Sequence, residues 1–222
     1  MLKIFLGSVV VATTIFANNL DTKGVEVTLE NGKKVVIKRE DRPAECQNIA
    51  FDAQDIWGGV YEAKKDINSK CKRSFVTHFG KISPMKAAPN IDTYGELEVL
   101  DFIEQAKTNK NLLLIDSRTS SWYNHQTIPS AINVPYLHTK KSQYPFEFEE
   151  MLELFGVEIK DNGQYDFTNA KTLLMFCNAT WCGQSPEAMK ELILIGYPQE
   201  KMKWYRGGLQ SWLSLGLTTI KP

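Results

Sequence analysis

The sequence predicts an α/β domain built on a mainly parallel sheet. Three observations carry this. Two continuous apolar runs, LLLID at 112–116 and TLLMFC at 172–177, stand between polar flanks, as strands do when both their faces are covered. Residues 95–107 and the segment after Ser185 carry apolar side chains at helical spacing. Strand-like and helix-like segments also alternate along the second half of the chain, the order that parallel strands joined by crossover helices require.

The elements follow in chain order. Residues 1–17 place Lys3 before an apolar run from Ile4 to about Phe16, closed by the small Ala17 and the polar Asn18-Asn19. This is the pattern of a cleaved secretory signal peptide, and the run is short for a span, which needs about 20 apolar residues. The mature protein is therefore expected in the periplasm, with no membrane attachment after cleavage. Residues 18–90 read as an N-terminal accessory region. Within it, 25–38 alternates apolar and polar residues on either side of Asn31-Gly32, which predicts a β-hairpin with a type I′ turn. The pattern is weak from Arg39 to about Asn90, broken at Pro43, Gly58-Gly59 and Pro84.

The main domain is expected over residues 91–222. Leu97, Leu100, Ile103 and Ala106 form one apolar stripe on the first helix. LLLID is the first central strand. Residues 131–134 before Pro135 read as a short extended piece, and 152–155 as helical. TLLMFC is the second central strand. Ser185 as N-cap and Pro186 at the first helical position then open a helix that stops at Gly196. Residues 203–205 are a third strand, followed by Gly207-Gly208 and a helix through Trp212 to Leu215.

Composition narrows the function. The chain has 222 residues, 43% hydrophobic and 23% charged, with 26 basic and 26 acidic side chains. A chain neutral overall has no whole-protein footprint for nucleic acid or anionic lipid. Its length is enough to bury a core without a disulfide scaffold. Four cysteines permit three pairings in an oxidising compartment. The expected bridge is Cys46–Cys71, worth about 3 kcal/mol for a loop of this length, because Cys177 and Cys182 share one loop of another character.

That loop is the chemical centre. Cys177 ends an apolar strand and Ser185 begins a helix eight residues later. In parallel α/β sheets ligands bind where a strand's carboxyl end faces a helix N-terminus. Asn178, Ala179, Thr180, Trp181, Cys182, Gly183 and Gln184 can turn backbone N–H groups inward, and these donors with the helix dipole favour a thiolate on Cys177. Cys182 is close enough in sequence to resolve a persulfide or sulfenate on Cys177. A metal site is not expected, since a structural site wants four N or S ligands and the loop has no histidine.

These motifs resemble the rhodanese-like family over roughly residues 91–222. LLLIDSRTSSWYNHQTIPSAINVPY resembles the family's opening strand, Asp-x-Arg and Ile-Pro segment; TLLMFC and the helix after it resemble the active-site strand, loop and helix; WYRGGLQSW resembles the closing Gly-Gly-x-x-x-Trp segment. The resemblance implies a three-layer fold with helices on both faces of the sheet. It implies a persulfide on Cys177, support from Asp116 and Arg118, and small sulfur partners of the thiosulfate, polysulfide or persulfide class. It implies no cofactor. A longer loop sets this chain apart: six residues separate Cys177 from Gln184, which stands where family members carry arginine. A weaker grip on thiosulfate is the expected consequence. The long loop with its second cysteine is also loosely similar to exported rhodanese-like proteins associated with pyrroloquinoline-quinone-dependent catabolism. Three readings stand side by side: a sulfurtransferase using Cys177, a thiol–disulfide protein using Cys177 and Cys182, and a non-catalytic binding module for a periplasmic protein partner.

Overall fold

The computed structural model describes residues 25–28, 31–37 and 82–222. The expected signal peptide, the Cys46–Cys71 pairing and most of the accessory region lie outside the described residues.

Strands β1 (Val25–Thr28) and β2 (Lys34–Ile37) pair antiparallel, as the alternation predicts. The turn differs from the expected type I′. Thr28 pairs with Lys34, which centres the connection on Asn31 rather than between Asn31 and Gly32, and Gly32 takes φ +78°. Asn31 instead accepts the Lys33 N–H through Oδ1 at 3.0 Å, and the left-handed residue is the glycine, where no Cβ is strained.

The main domain is a five-stranded parallel sheet. β3 (Asp92–Tyr94), β4 (Leu112–Asp116), β5 (Ile132–Asn133), β8 (Thr172–Phe176) and β9 (Met202–Tyr205) lie in the order β3-β9-β8-β4-β5. β6 (Glu158–Ile159) and β7 (Tyr165–Asp166) form a separate short antiparallel pair. The helices are α1 (Glu96–Ala106), α2 (Ser120–His125), α3 (Pro145–Leu154), α4 (Gln184–Leu194) and α5 (Gly208–Ser214).

The central runs are apolar throughout because the two pleat faces meet two cores. Leu173 and Met175 face the core that holds Phe148, Leu152 and Leu192; Leu174 and Phe176 face the one that holds Val99, Leu209 and Trp212. Helices α3 and α4 thus cover one face and α1 and α5 the other, completing three layers. β8 is the central strand. Its last residue, Phe176, pairs with Asp116 on one side and Tyr205 on the other, so whatever follows Phe176 emerges between the ends of β4 and β9.

Two expectations are corrected here. Helix α1 buries Val99 and Phe102, whereas Leu97 is 76% exposed and Leu100 also faces out. The cause is Glu96, whose Oε1 accepts hydrogen bonds from the Tyr205 hydroxyl at 2.9 Å and the Ser211 hydroxyl at 2.6 Å. Tying Glu96 to the sheet and α5 rotates positions 99, 102 and 106 inward. The folded unit also starts before residue 91. Ala88 lies in the core, the Ser83 N–H donates to the Thr180 carbonyl at 2.9 Å, and Arg206 donates to the Ser83 and Pro84 carbonyls.

Gly208 shows how closely β9 and α5 approach the residues after β8. It has φ +59°, and a Cβ there would lie 2.4 Å from the Cys177 carbonyl oxygen and 2.7 Å from the Asn178 carbonyl carbon. Both are backbone atoms, so neither can swing away. Gly208→Ala is expected to destabilise the protein by about 2 kcal/mol or more, from the left-handed backbone and the clash together. Urea unfolding would show this as a lower midpoint at unchanged slope; a midpoint equal to the parent's would contradict the close approach.

Candidate active site

Cys177 is the first residue after β8, and its position is set from three directions. The Cys177 and Asn178 carbonyls accept the Leu209 and Gln210 N–H groups at 3.0 and 2.8 Å. The Thr180 carbonyl accepts the Ser83 N–H. The Cys182 N–H turns back to the Ala179 carbonyl at 2.9 Å, which folds the far end of the loop over its beginning. Trp181 is held to the side, its indole N–H donating to Gln210 Oε1 at 3.0 Å.

Asp116 and Arg118 stand beside this loop, both fully buried. Arg118 Nη2 meets Asp116 Oδ2 at 2.6 Å and Nε meets Oδ1 at 2.9 Å. The same guanidinium donates to the Gln126 carbonyl at 2.6 Å and to Asn178 Oδ1 at 3.3 Å. Thr127 Oγ1 donates to Asp116 Oδ2 at 2.8 Å. The ion pair therefore reaches Asn178, the residue next to Cys177, by way of its side-chain amide.

The Cys177 thiol is 2% exposed and Cys182 is 5% exposed; neither is in a disulfide. Burial alone would push the Cys177 thiol up, because a thiolate loses its hydration. The hydrogen-bonding influence of Cys182, Ser185 and Asn178 outweighs burial. It brings the thiol down to about 7. Cys182 moves the other way. Its hydrogen bond to Cys177 and its own burial hold it well above the ordinary thiol value. The pair thus carries one negative charge, on Cys177, and one proton, on Cys182. When Cys177 is protonated, its S–H donates to the Cys182 carbonyl at 3.3 Å.

Ser185 is placed differently from expectation. Helix α4 begins at Gln184 with Gly183 as N-cap, and no side chain caps it. Ser185 lies within the first turn, fully buried, and Pro186 follows it there rather than opening the helix. Its buried hydroxyl makes no hydrogen bond, and its place beside Cys177 helps to hold that thiol down. The Cys182 S–H donates to Gln184 Oε1 at 3.6 Å. The structure gathers Asn178, Cys182 and Ser185 around the Cys177 sulfur. It sets Asp116 and Arg118 one residue behind, places Ala179 and Thr180 in the backbone turn, and leaves Gly183 open. The sequence did not single out Gly208 and Gln210, which pin the loop, or Ser83; the Gly-Gly before an aromatic-containing helix was the available signal for the first. His138 packs against Tyr144 with ring centroids 6.1 Å apart, and His125 ends α2. Among the described residues no His, Cys, Asp and Glu cluster forms a metal site.

The fold is thus a parallel α/β sheet whose central strand delivers a buried thiol to the N-terminus of a helix. Residues 98–215 match the rhodanese-like domain, and the chain belongs to that family. Thiosulfate:glutathione sulfurtransferase of Saccharomyces cerevisiae is 30% identical over 139 residues, covering 62% of this chain and 88% of the relative. Among solved structures, an uncharacterised protein from the same yeast is 27% identical, covers 58% of this chain and 95% of its own, with TM-score 0.42. A human single-domain sulfurtransferase is 18% identical, with 57% and 97% covered and TM-score 0.39.

Alkylation rate against pH tests the thiol. Cys177 in the reduced chain is expected to react with a midpoint near the value of about 7, below the ordinary thiol reference of about 8.5. Below the midpoint the thiolate and the reactivity are lost. Ser185→Ala, which removes one donor, is expected to move the midpoint upward. A midpoint at or above the reference in the parent would contradict the donor arrangement.

Proposed function

We propose that this chain is a periplasmic sulfurtransferase that carries sulfane sulfur as a persulfide on Cys177. The single observation that carries the reading is the buried Cys177 thiol, set directly after the central strand and beside the N-terminus of α4, where its surroundings bring it down to about 7. Family membership and the sulfurtransferase named among its relatives support the reaction class. The Lys3, apolar run and Ala17 pattern supports export.

The chemistry runs in two displacements. The Cys177 thiolate attacks the outer sulfur of a donor. With thiosulfate the sulfur–sulfur bond breaks, its electron pair leaves on sulfite, and Cys177 becomes a persulfide anion. An acceptor thiolate then attacks that outer sulfur, leaves as a persulfide and returns Cys177 as thiolate. The donors that hold the Cys177 thiolate also suit the terminal sulfur of the persulfide, since both are anions at the same place. The yeast relative is named for transfer from thiosulfate to glutathione, which supports a low-molecular-weight thiol as acceptor here.

Charge sets the donor preference. No lysine or arginine occurs from Asn178 to Met189. Lys140, the cation beside α4, is paired with Glu187 at 2.6 Å, and Arg206 is engaged by backbone carbonyls. A dianion gains little from such a mouth, so organic persulfides, which bring at most one charge on the reacting sulfur, are the favoured donors over thiosulfate.

Intact-mass measurement of the periplasmic protein after exposure to polysulfide tests this. The expected result is a chain beginning near Asn18 that gains sulfur on Cys177. Cys177→Ser, nearly isosteric, is expected to lose that gain while keeping its unfolding midpoint. Equal sulfur gain by the Cys177→Ser variant would refute the assignment.

A further inference from the structure

The proposed persulfide reading uses Cys177, Asn178 and Ser185 and leaves Cys182 with a supporting hydrogen bond only. Its position offers more. The Cys182 carbonyl lies 3.3 Å from the Cys177 Sγ, and the Cys182 side chain is among the groups that act on the Cys177 thiol. In a loaded chain that Sγ is the inner sulfur of the persulfide, so Cys182 sits against the atom bonded to the protein rather than the atom being carried. The two ends of the loop also differ. Cys177 and Asn178 are pinned by Leu209 and Gln210, whereas the Cys182 end folds back on the loop itself through its N–H to the Ala179 carbonyl at 2.9 Å. A disulfide then needs the two sulfurs to close to a bond of about 2.05 Å.

We propose that Cys182 attacks the inner sulfur of the Cys177 persulfide and expels the carried sulfur as hydrosulfide. This step rests on the persulfide reading above. The Cys182 sulfur forms a bond to Cys177 Sγ as the bond from Sγ to the outer sulfur breaks. The electron pair of that bond leaves on the outer sulfur, and the proton of the Cys182 thiol goes with it. A persulfide anion and a thiol become a Cys177–Cys182 disulfide and a hydrosulfide anion, with charge conserved. The sulfane sulfur is reduced to sulfide, and the two cysteine sulfurs are oxidised to the disulfide. An external dithiol reductant returns both thiols by exchange, itself ending as a disulfide.

The pair thus gives the loaded chain a second exit. With an acceptor thiol at hand, sulfur leaves as a persulfide; without one, it leaves as sulfide. The substrate class is the same sulfane donor, and the added co-substrate is a dithiol. The step needs one proton transfer: the Cys182 proton passes to the outer sulfur, which makes Cys182 the attacking thiolate and hydrosulfide the leaving group.

The test uses the reduced full chain under anaerobic conditions, inorganic polysulfide as donor and no acceptor thiol, with sulfide trapped during loading. The wild-type chain is expected to release sulfide in proportion to the sulfur taken up and to yield a Cys177–Cys182 peptide crosslink. Cys182→Ser, which keeps a donor to Cys177, is expected to hold the added sulfur on Cys177 and to release sulfide about tenfold more slowly or less. Wild-type chain that keeps its sulfur stably on Cys177, with no crosslink, would overturn this step and leave the persulfide reading standing. Added sulfur mapped to Cys182 would overturn it in favour of a relay to the outer thiol. No added sulfur on Cys177 in either chain would overturn the persulfide reading and this step together. The wild-type crosslink map stands by itself if Cys182→Ser does not fold.

Discussion

A guanidinium with no solvent exposure must have its charge and its N–H groups met by the protein, and the Arg118–Asp116 pair is where this fold meets that demand. The carboxylate takes the Nε–Nη2 edge of the guanidinium, and the Gln126 carbonyl and Asn178 Oδ1 accept from Nη2 and Nη1. Asp116 in turn accepts the Arg118 backbone N–H and the Thr127 hydroxyl. Breaking such a pair from one side costs about 3–5 kcal/mol, because the remaining charge stays buried and unpaired. Three segments therefore depend on it: the end of β4, the Gln126–Thr127 stretch that also bridges to Ile220, and the start of the cysteine loop. Its functional consequence is local. Asn178 is held through its side chain, and its backbone N–H is one of the donors on Cys177.

The thiol itself is a contest between burial and hydrogen bonding. Burial works against ionisation, and the hydrogen-bonding influence of Cys182, Ser185 and Asn178 overcomes it without a lysine, arginine or histidine in the loop. Buried dipoles are screened by salt less than exposed charges are, and they add no net charge to the loop. Under the proposed function such a site activates its thiol without concentrating anions, which suits donors that bring sulfane sulfur with little charge. The interaction that lowers Cys177 raises Cys182.

Much of this could be read before any coordinates. LLLID and TLLMFC are apolar at every pleat position, and only a strand covered on both faces permits that. The placement of Cys177 followed from the strand's end and the helix after it. Asp116 and Arg118 were legible only through family resemblance, since their tie to Asn178 spans 60 positions. The rotation of α1 was not legible: the stripes through Leu97 and through Val99 share Ile103 and Ala106, and the choice between them is made by Tyr205 and Ser211, more than a hundred residues away. Ser185 before a proline has the local look of a cap. It caps nothing: its hydroxyl is buried without a hydrogen bond, beside a cysteine eight residues back that only the folded loop brings close. Asn31-Gly32 likewise marks a turn, but strand register decides which turn.

The central claim is that donors at the α4 N-terminus hold an anionic sulfur on Cys177. A crystal structure of the polysulfide-loaded Cys182→Ser chain tests it most directly. The account predicts one added sulfur atom bonded to Cys177 Sγ and lying within hydrogen-bond reach of the Ser185 hydroxyl and loop N–H groups. An added sulfur directed away from those donors, or bonded to any other residue, would contradict it.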